Sequence, residues 1–523
     1  MSSINSTPVI DLFAGPGGLG EGFSAIESQR QQRFKIALSI EKEENAHKTL
    51  KLRAFFRQFG RGEVPERYYK ALRGELTIQE LFSEYAIEAN KADREAMLAE
   101  LGKEPPQKVD ARIREALHGA ENWVLIGGPP CQAYSLAGRS RNKGNKEYCP
   151  EEDDRHFLYR EYLRIIAEHN PPIFVMENVK GLLSSKVNGG DIFDQILNDL
   201  RKPYSTNAGG TRRNRKQGYR IFSLAQPASE GLIKDIGYNP MDFIVKSENY
   251  GIPQARHRVI LLGVREDIAE MRSPEDILCI QEQQAKVRQA IADLPRLRSG
   301  LSRGDTPEAW LNTIKGIAQT RWFKEQKPDM RDCLQRILSK ICLPKKNRGS
   351  EFVECDCQPE ILQHWFFDQK LKGACNHSTR GYLSSDLHRY IFAACFASVC
   401  GKSPVLSDFP EELLPEHRNV EKALKGALFE DRFRVQLYNK PSTTVVSHIS
   451  KDGHYYIHYD ASQCRSLTVR EAARLQTFPD NYFFCGPRTS QYQQVGNAVP
   501  PYLAYQIAEV VLAILERAGR ANG

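Results

Sequence analysis

Short apolar strands recur along the first half of the chain, each ending in a turn or an acid and leading into a helix-forming stretch. No other feature constrains the fold as much. The stretch "TPVIDLFAGPGGLGEGF" (7–23) reads as a buried strand, a glycine-rich turn and a helix start. "FKIALSIEKEENAHKTL" repeats the pattern, with its strand closing on Glu41. "ENWVLIGGPPC" supplies a third strand, and "RIIAEHNPPIFVMENVKGL" a helix and a fourth. "GYNPMDFIVKSENYGIPQARHRVILLGVRED" adds two more around a tight turn. Strands alternating with helices predict an α/β fold on a parallel, doubly wound sheet.

Two regions break the rhythm. Residues 51 to about 108 are charged and rich in helix formers, with a capping box, "TIQE", at 77–80. They predict a helical insertion between the second and third strands. From about 268 to 433 the alternation fades into the mixed pattern of a second domain. Beyond it, "KPSTTVVSHISKDGHYYIHYD" (440–460) predicts a hairpin turning near Asp452-Gly453. Thr468 and Glu471 are spaced as another capping box, and the last helix presents Leu503, Ile507, Val511, Ile514 and Leu515 on one face.

Composition narrows the class. The net charge of +8 is compatible with a polyanionic partner without requiring one. The start lacks a basic-then-apolar leader, and the longest apolar run, "YIFAACFASVC", is short for a bilayer span. Twelve cysteines without paired spacing predict free thiols in a reducing cytosol. Cys355, Cys357, Cys375 and His377 could suggest zinc, but their spacing departs from the usual two-residue knuckle, so no metal is expected.

Several residues carry chemistry. Gly15, Gly17 and Gly18 follow a strand and open a helix, which lets a ligand approach the backbone closely. Glu41 is placed to accept from ribose hydroxyls, although the glycine spacing fails the full dinucleotide fingerprint. Cys131 follows Gly-Gly-Pro-Pro at the carboxyl end of a strand, the edge where open α/β sheets bind ligands. Glu177 closes the strand "PIFVME", where a carboxylate is costly unless paired or needed. Gln254, Arg256 and Arg258 face one side of an extended segment and require an anionic or carbonyl-bearing partner.

The order "DLFAGPGG", "GGPPCQ", "MENV", "QARHR", "REAARLQTFP" and "QVGNAVPP" resembles that of the DNA (cytosine-5) methyltransferases. The likeness covers nearly all of 8–267 outside the insertions, and again about 434–515. It implies a Rossmann-like, S-adenosylmethionine-dependent domain of residues 1–267 plus about 484–523. A smaller domain of about 268–483 would hold a target-recognition region at about 268–433. It implies that Phe13, Gly15, Pro16, Gly18, Glu41, Asp110, Pro130, Leu158, Asn497 and Val499 surround the cofactor. Cys131 would be the nucleophile, Glu177 the acid at the ring nitrogen, and Arg258 with Arg256 the holders of the base carbonyl. Gln132, Ser135, Arg139, Arg141, Asn178 and Gln254 would meet DNA. The implied setting is a monomer in the bacterial cytoplasm acting on duplex DNA, away from membranes, with a restriction endonuclease as its functional counterpart. A tRNA cytosine methyltransferase and a catalytically silent DNA binder are the rival readings.

Overall fold

The computed structural model describes residues 6–28, 31–60, 62–130, 155–184, 186–187, 190–204, 218–227, 239–415 and 430–521. One mixed sheet organises the first half of the chain. Its strands are β1 (Thr7–Leu12), β2 (Phe34–Glu41), β3 (Ala96–Leu98), β4 (Val124–Gly127), β5 (Ile173–Val179), β6 (Tyr219–Ser223), β7 (Ile244–Lys246) and β8 (His257–Arg265). They lie in the order β6-β8-β5-β4-β1-β2-β3, with β7 also paired to β8. Val9, Ile10, Val124, Leu125 and Val259 are fully buried, as continuous apolar strands covered on both faces must be.

The sheet is parallel from β3 to β5. It is antiparallel where β8 meets β5, β6 and β7, which corrects the expectation of a wholly parallel sheet. The connection from β7 to β8 is too short to hold a crossover helix, and only an antiparallel pair can be joined that way. Periodicity reports burial but not strand direction. Strand β6 also went unforeseen, because Tyr219 and Arg220 end a basic stretch that reads as loop.

The insertion differs from expectation as well. Helix α1 (Gly18–Ser24) follows the glycine turn and crosses from β1 to β2, and α2 (Glu44–Phe56) follows β2. Helices α3 (Glu66–Leu72), α4 (Ile78–Glu84) and α5 (Ala86–Glu95) make up the insertion proper, α4 starting at the foreseen Thr77/Glu80 capping box. The chain then re-enters the sheet as β3, a strand too short to leave a periodic signal. Helices α6 (Pro106–Leu117) and α7 (Arg155–His169) complete the layer.

In the second half, α8 (Pro328–Lys340) and α9 (Ser384–Cys400) build a core around Trp310, Trp322 and Tyr390. Strands β9 (Gly349–Glu354) and β10 (Gly373–Ser378) form an antiparallel hairpin. Helices α10 (Val469–Leu475) and α11 (Arg488–Asn497) share another core with Val287, Ile291, Val445 and Ile449, which runs unbroken past residue 484. The hairpin expected at 440–460 is absent. Ser442–Thr443 instead pairs in parallel with Gln254–Ala255, and Gly453, at φ 76°, opens a short helical turn. Helix α12 (Pro501–Ala521) buries Leu503, Ile507, Val511 and Ile514, with Leu515 packed at the core's edge. It crosses α1 so closely that a Cβ on Gly22 would lie 2.4 Å from the Tyr505 nitrogen.

The cysteines depart from the free-thiol expectation at one place: Cys355 and Cys357 are joined by a disulfide. Cys375 lies opposite Phe352 in the hairpin, and burial pushes its thiol up to about 12. Both His377 nitrogens are engaged, Nδ1 with the Thr468 hydroxyl at 2.9 Å and Nε2 with the Pro295 carbonyl at 2.8 Å.

Candidate active site

Two groups of residues gather at the carboxyl ends of the parallel strands. The first is the glycine turn after β1. Phe13, Gly15 and Gly17 all have positive φ (55°, 57° and 96°), a coil that only glycine adopts without cost. A Cβ added to Gly15 would meet nothing within 4 Å, so its outer face is open to a ligand. The opposite face is closed, since a Cβ on Gly18 would lie 2.2 Å from the Val499 carbonyl oxygen. Glu41, ending the adjacent strand, accepts from the Gly15 and Glu43 amides at 2.8 Å each. Asp11, beneath the turn, stays in the core; burial pushes its carboxyl up to about 8 against the opposing pull of Arg57.

The second group surrounds Glu177. Its Oε1 lies 2.9 Å from the Arg258 Nε, and each side chain is about one-seventh exposed (14% and 15%). The pair bridges β5 and β8, whose register sets Val179 opposite Arg258. Gly128 runs past the carboxylate, where an added Cβ would lie 3.1 Å from Glu177 Oε2. Asn178 Nδ2 donates to the Pro129 carbonyl at 3.3 Å. The Gly-Gly-Pro-Pro turn is thus tied to the end of β5, and Pro130 delivers the chain to Cys131 from there. Cys131, Gln132, Ser135, Arg139 and Arg141 lie outside the described residues.

Other predicted residues fall elsewhere. Asp110 sits on α6, where Arg164 Nη1 reaches both carboxylate oxygens at 2.9 Å and His169 Nε2 is 2.9 Å away. This cluster ties α6 to α7. The acid that does follow the edge strand is Glu100, one residue beyond Ala99, whose amide donates to the Glu41 carbonyl at 2.9 Å. Only knowledge of β3 could have pointed to it. Leu158, on α7, borders the same loop, 3.5 Å from where a Gly102 Cβ would stand.

Arg256 feels the charges of Arg258 and Glu177 while it and Gln254 reach toward the C-terminal segment. Gln254 is fully buried; its amide donates to Leu475 O (3.2 Å) and Gln476 Oε1 (3.0 Å) and accepts from Val445 N (2.7 Å). Arg256 Nη1 donates to Val445 O at 3.0 Å and Gly496 O at 3.3 Å. Burial, aided by Arg258, weakens the hold of Arg256 on its proton. These two side chains stitch the first half of the chain to the C-terminal segment, Arg256 through main-chain carbonyls and Gln254 through Leu475, Gln476 and Val445. Asn497, exposed at the end of α11, stands beside that seam.

Comparison with known proteins places these features. The model of the C-5 cytosine-specific DNA methylase family matches residues 96–203 and 231–513. The type II methyltransferase M.Bpa9945I of Bacillus paralicheniformis is 32% identical over 97% of this chain and 99% of its own. The DNA (cytosine-5-)-methyltransferase M.ApeKI of Aeropyrum pernix is 25% identical over 76% of this chain and 83% of its own. The crystal structure of a putative DNA modification methyltransferase encoded within an E. coli prophage aligns with a TM-score of 0.50. That alignment, at 18% identity over 98% of this chain and all of the other, shows a shared fold. The fold is that of a Rossmann-like methyltransferase. The chain belongs to the C-5 cytosine-specific DNA methylase family and is a DNA (cytosine-5-)-methyltransferase.

Proposed function

We propose that the protein transfers a methyl group from S-adenosylmethionine to carbon 5 of a cytosine flipped out of duplex DNA, within one short sequence. The observation that carries this reading is the Glu177–Arg258 pair, with the turn that leads to Cys131 fastened beside it. Carbon 5 of cytosine is a poor nucleophile. Addition of the Cys131 thiolate to carbon 6 turns the ring into an enamine whose carbon 5 can attack an electrophile. Loss of the carbon 5 proton then breaks the sulfur–carbon 6 bond and frees the thiolate. Glu177 hydrogen-bonds or protonates ring nitrogen 3, which makes that addition feasible. Its partner Arg258 uses Nε on Glu177 and Nη1 on the His257 carbonyl, leaving Nη2 for the base carbonyl.

S-adenosylmethionine supplies an electrophilic methyl sulfonium when bound. The open face of Gly15 and the two-sided Glu41 carboxylate suit such a ligand. Phe13, Gly15, Pro16, Gly18 and Glu41 hold it from the first two strands. Pro130, Leu158, Asn497 and Val499 close the pocket, and Glu100 takes the role expected of Asp110. Gln132, Ser135, Arg139 and Arg141 approach DNA from the segment after Cys131, and Asn178 supports the turn. The enzyme works as a monomer in the cytoplasm, and the type II names of its relatives suit a restriction endonuclease as its counterpart.

The test is incubation with unmethylated genomic DNA and S-adenosylmethionine, followed by base-resolution mapping of 5-methylcytosine. Methylation confined to one short motif is expected. Methylation of tRNA alone, or none with cofactor binding intact, would contradict the reading.

A further inference from the structure

The segment "TFPDNYFF" belongs to a motif that the chemistry above leaves without a task. We infer that Tyr482 is a positioning residue for the cofactor turn, linking the C-terminal core to the S-adenosylmethionine site; this rests on the function proposed above. Tyr482 is fully buried, and its hydroxyl donates to the Pro16 carbonyl inside the turn. The next residue, Gly17, could carry no side chain there. Its Cβ would lie 2.9 Å from the Tyr482 oxygen and 2.7 Å from Leu50 Cδ2. The phenol is therefore both a donor to the turn and the wall that shapes its left-handed step.

The same ring is anchored on its other side. The Arg53 guanidinium lies 4.9 Å from the Tyr482 ring centroid and 3.9 Å from that of Phe56. Arg53 Nε donates to Glu21 Oε2 at 2.8 Å, so the residue also grips α1, the helix that leaves the turn. Arg53 Nη1 donates to Asn481 Oδ1 at 2.9 Å, and Asn481 Nδ2 to Asp368 Oδ2 at 2.6 Å. Asp368 lies in the connection between β9 and β10 and accepts from the Tyr69 hydroxyl of the insertion at 2.8 Å. A continuous path of side chains thus runs from the hairpin to Pro16. Burial raises the Tyr482 phenol far above its ordinary value, which keeps it a donor across the working range.

Tyr482→Phe removes one hydroxyl and leaves the Pro16 carbonyl buried without its partner, and the turn relaxes. Affinity for S-adenosylmethionine and for S-adenosylhomocysteine, titrated calorimetrically without DNA, is expected to fall about tenfold. The matched control is Tyr492→Phe, because Tyr492 is also buried and donates to a backbone carbonyl, Leu467 O at 2.7 Å, away from the turn. Both variants should lose similar thermal stability, and only Tyr482→Phe should lose cofactor affinity. Gly17→Ala, pressing on the same phenol from the turn, should weaken binding too. Wild-type affinity in Tyr482→Phe, or equal losses in the two tyrosine variants, overturns the inference alone. A wild-type protein that binds neither ligand fails the functional reading and the inference together.

Discussion

Arginine is used in two opposite ways in this molecule. Arg465, Arg470 and Arg474 lie in the C-terminal core with their donors committed: Arg465 to Glu471, Arg470 to three main-chain carbonyls, and Arg474 to Asp480 and Asp293. Arg258 makes one ion pair through Nε and one main-chain bond through Nη1. The three core arginines are spent on the scaffold, whereas Arg258 is only partly spent. A guanidinium with every donor spent can only hold the fold together, whereas one that is half spent can still meet a substrate.

The contrast can be broken at either end. The largest effect on turnover is expected from Glu177→Gln, which keeps the shape and loses the acid. Methyl transfer should fall by about 10²–10⁴ with cofactor affinity and thermal stability near wild type. Single-turnover kinetics beside a binding titration would check it. Glu471→Gln should do the reverse, removing the charged partner of the buried Arg465 and costing about 3–5 kcal/mol of stability in a denaturant titration. Whatever remains folded should turn over normally.

A third effect concerns acid. Burial holds His377 and His458 at about 4, below the ordinary histidine value of 6.5, so the folded state resists protons that the unfolded chain accepts. Stability is therefore full above pH 6.5 and declines as pH falls from there toward 4. Thermal melts of wild type and a His458→Gln variant should show a shallower decline in the variant. The smallest effect separates Glu100 from Asp110. Glu100→Gln should weaken S-adenosylmethionine binding several-fold, on the order of one hydrogen bond. Asp110→Asn should leave that affinity unchanged while loosening α6 from α7. Equal losses in both would restore Asp110 to the pocket.

Which parts were legible in the sequence follows from the physics of each signal. Buried strands and capping boxes are local, so β1, β2, β4, β5, β8 and the Thr468 cap could be read directly. Glu177 and Arg258 were legible because a charge at the end of an apolar strand needs a reason. Strand direction depends on connection length and partner, and the antiparallel edge was missed on that account. Strand β3 is too short to show a period, and with it went Glu100. For Arg256 the sequence asked for an anionic or carbonyl-bearing partner, and the Val445 and Gly496 carbonyls take its Nη1, but nothing local says which remote segment supplies them. Tyr482 carried no signal at all, since its partner Pro16 is remote in the chain.

The central claim is that the turn beside Glu177 and Arg258 delivers a nucleophilic thiolate to cytosine. The most direct test is incubation with S-adenosylmethionine and a duplex carrying 5-fluorocytosine at the methylated position, where the fluorine cannot leave as a proton does. The account predicts a denaturation-resistant protein–DNA complex whose cross-link maps to Cys131 and is lost in Cys131→Ser. Methylation of the normal duplex without any trapped complex on the fluorinated one would contradict it.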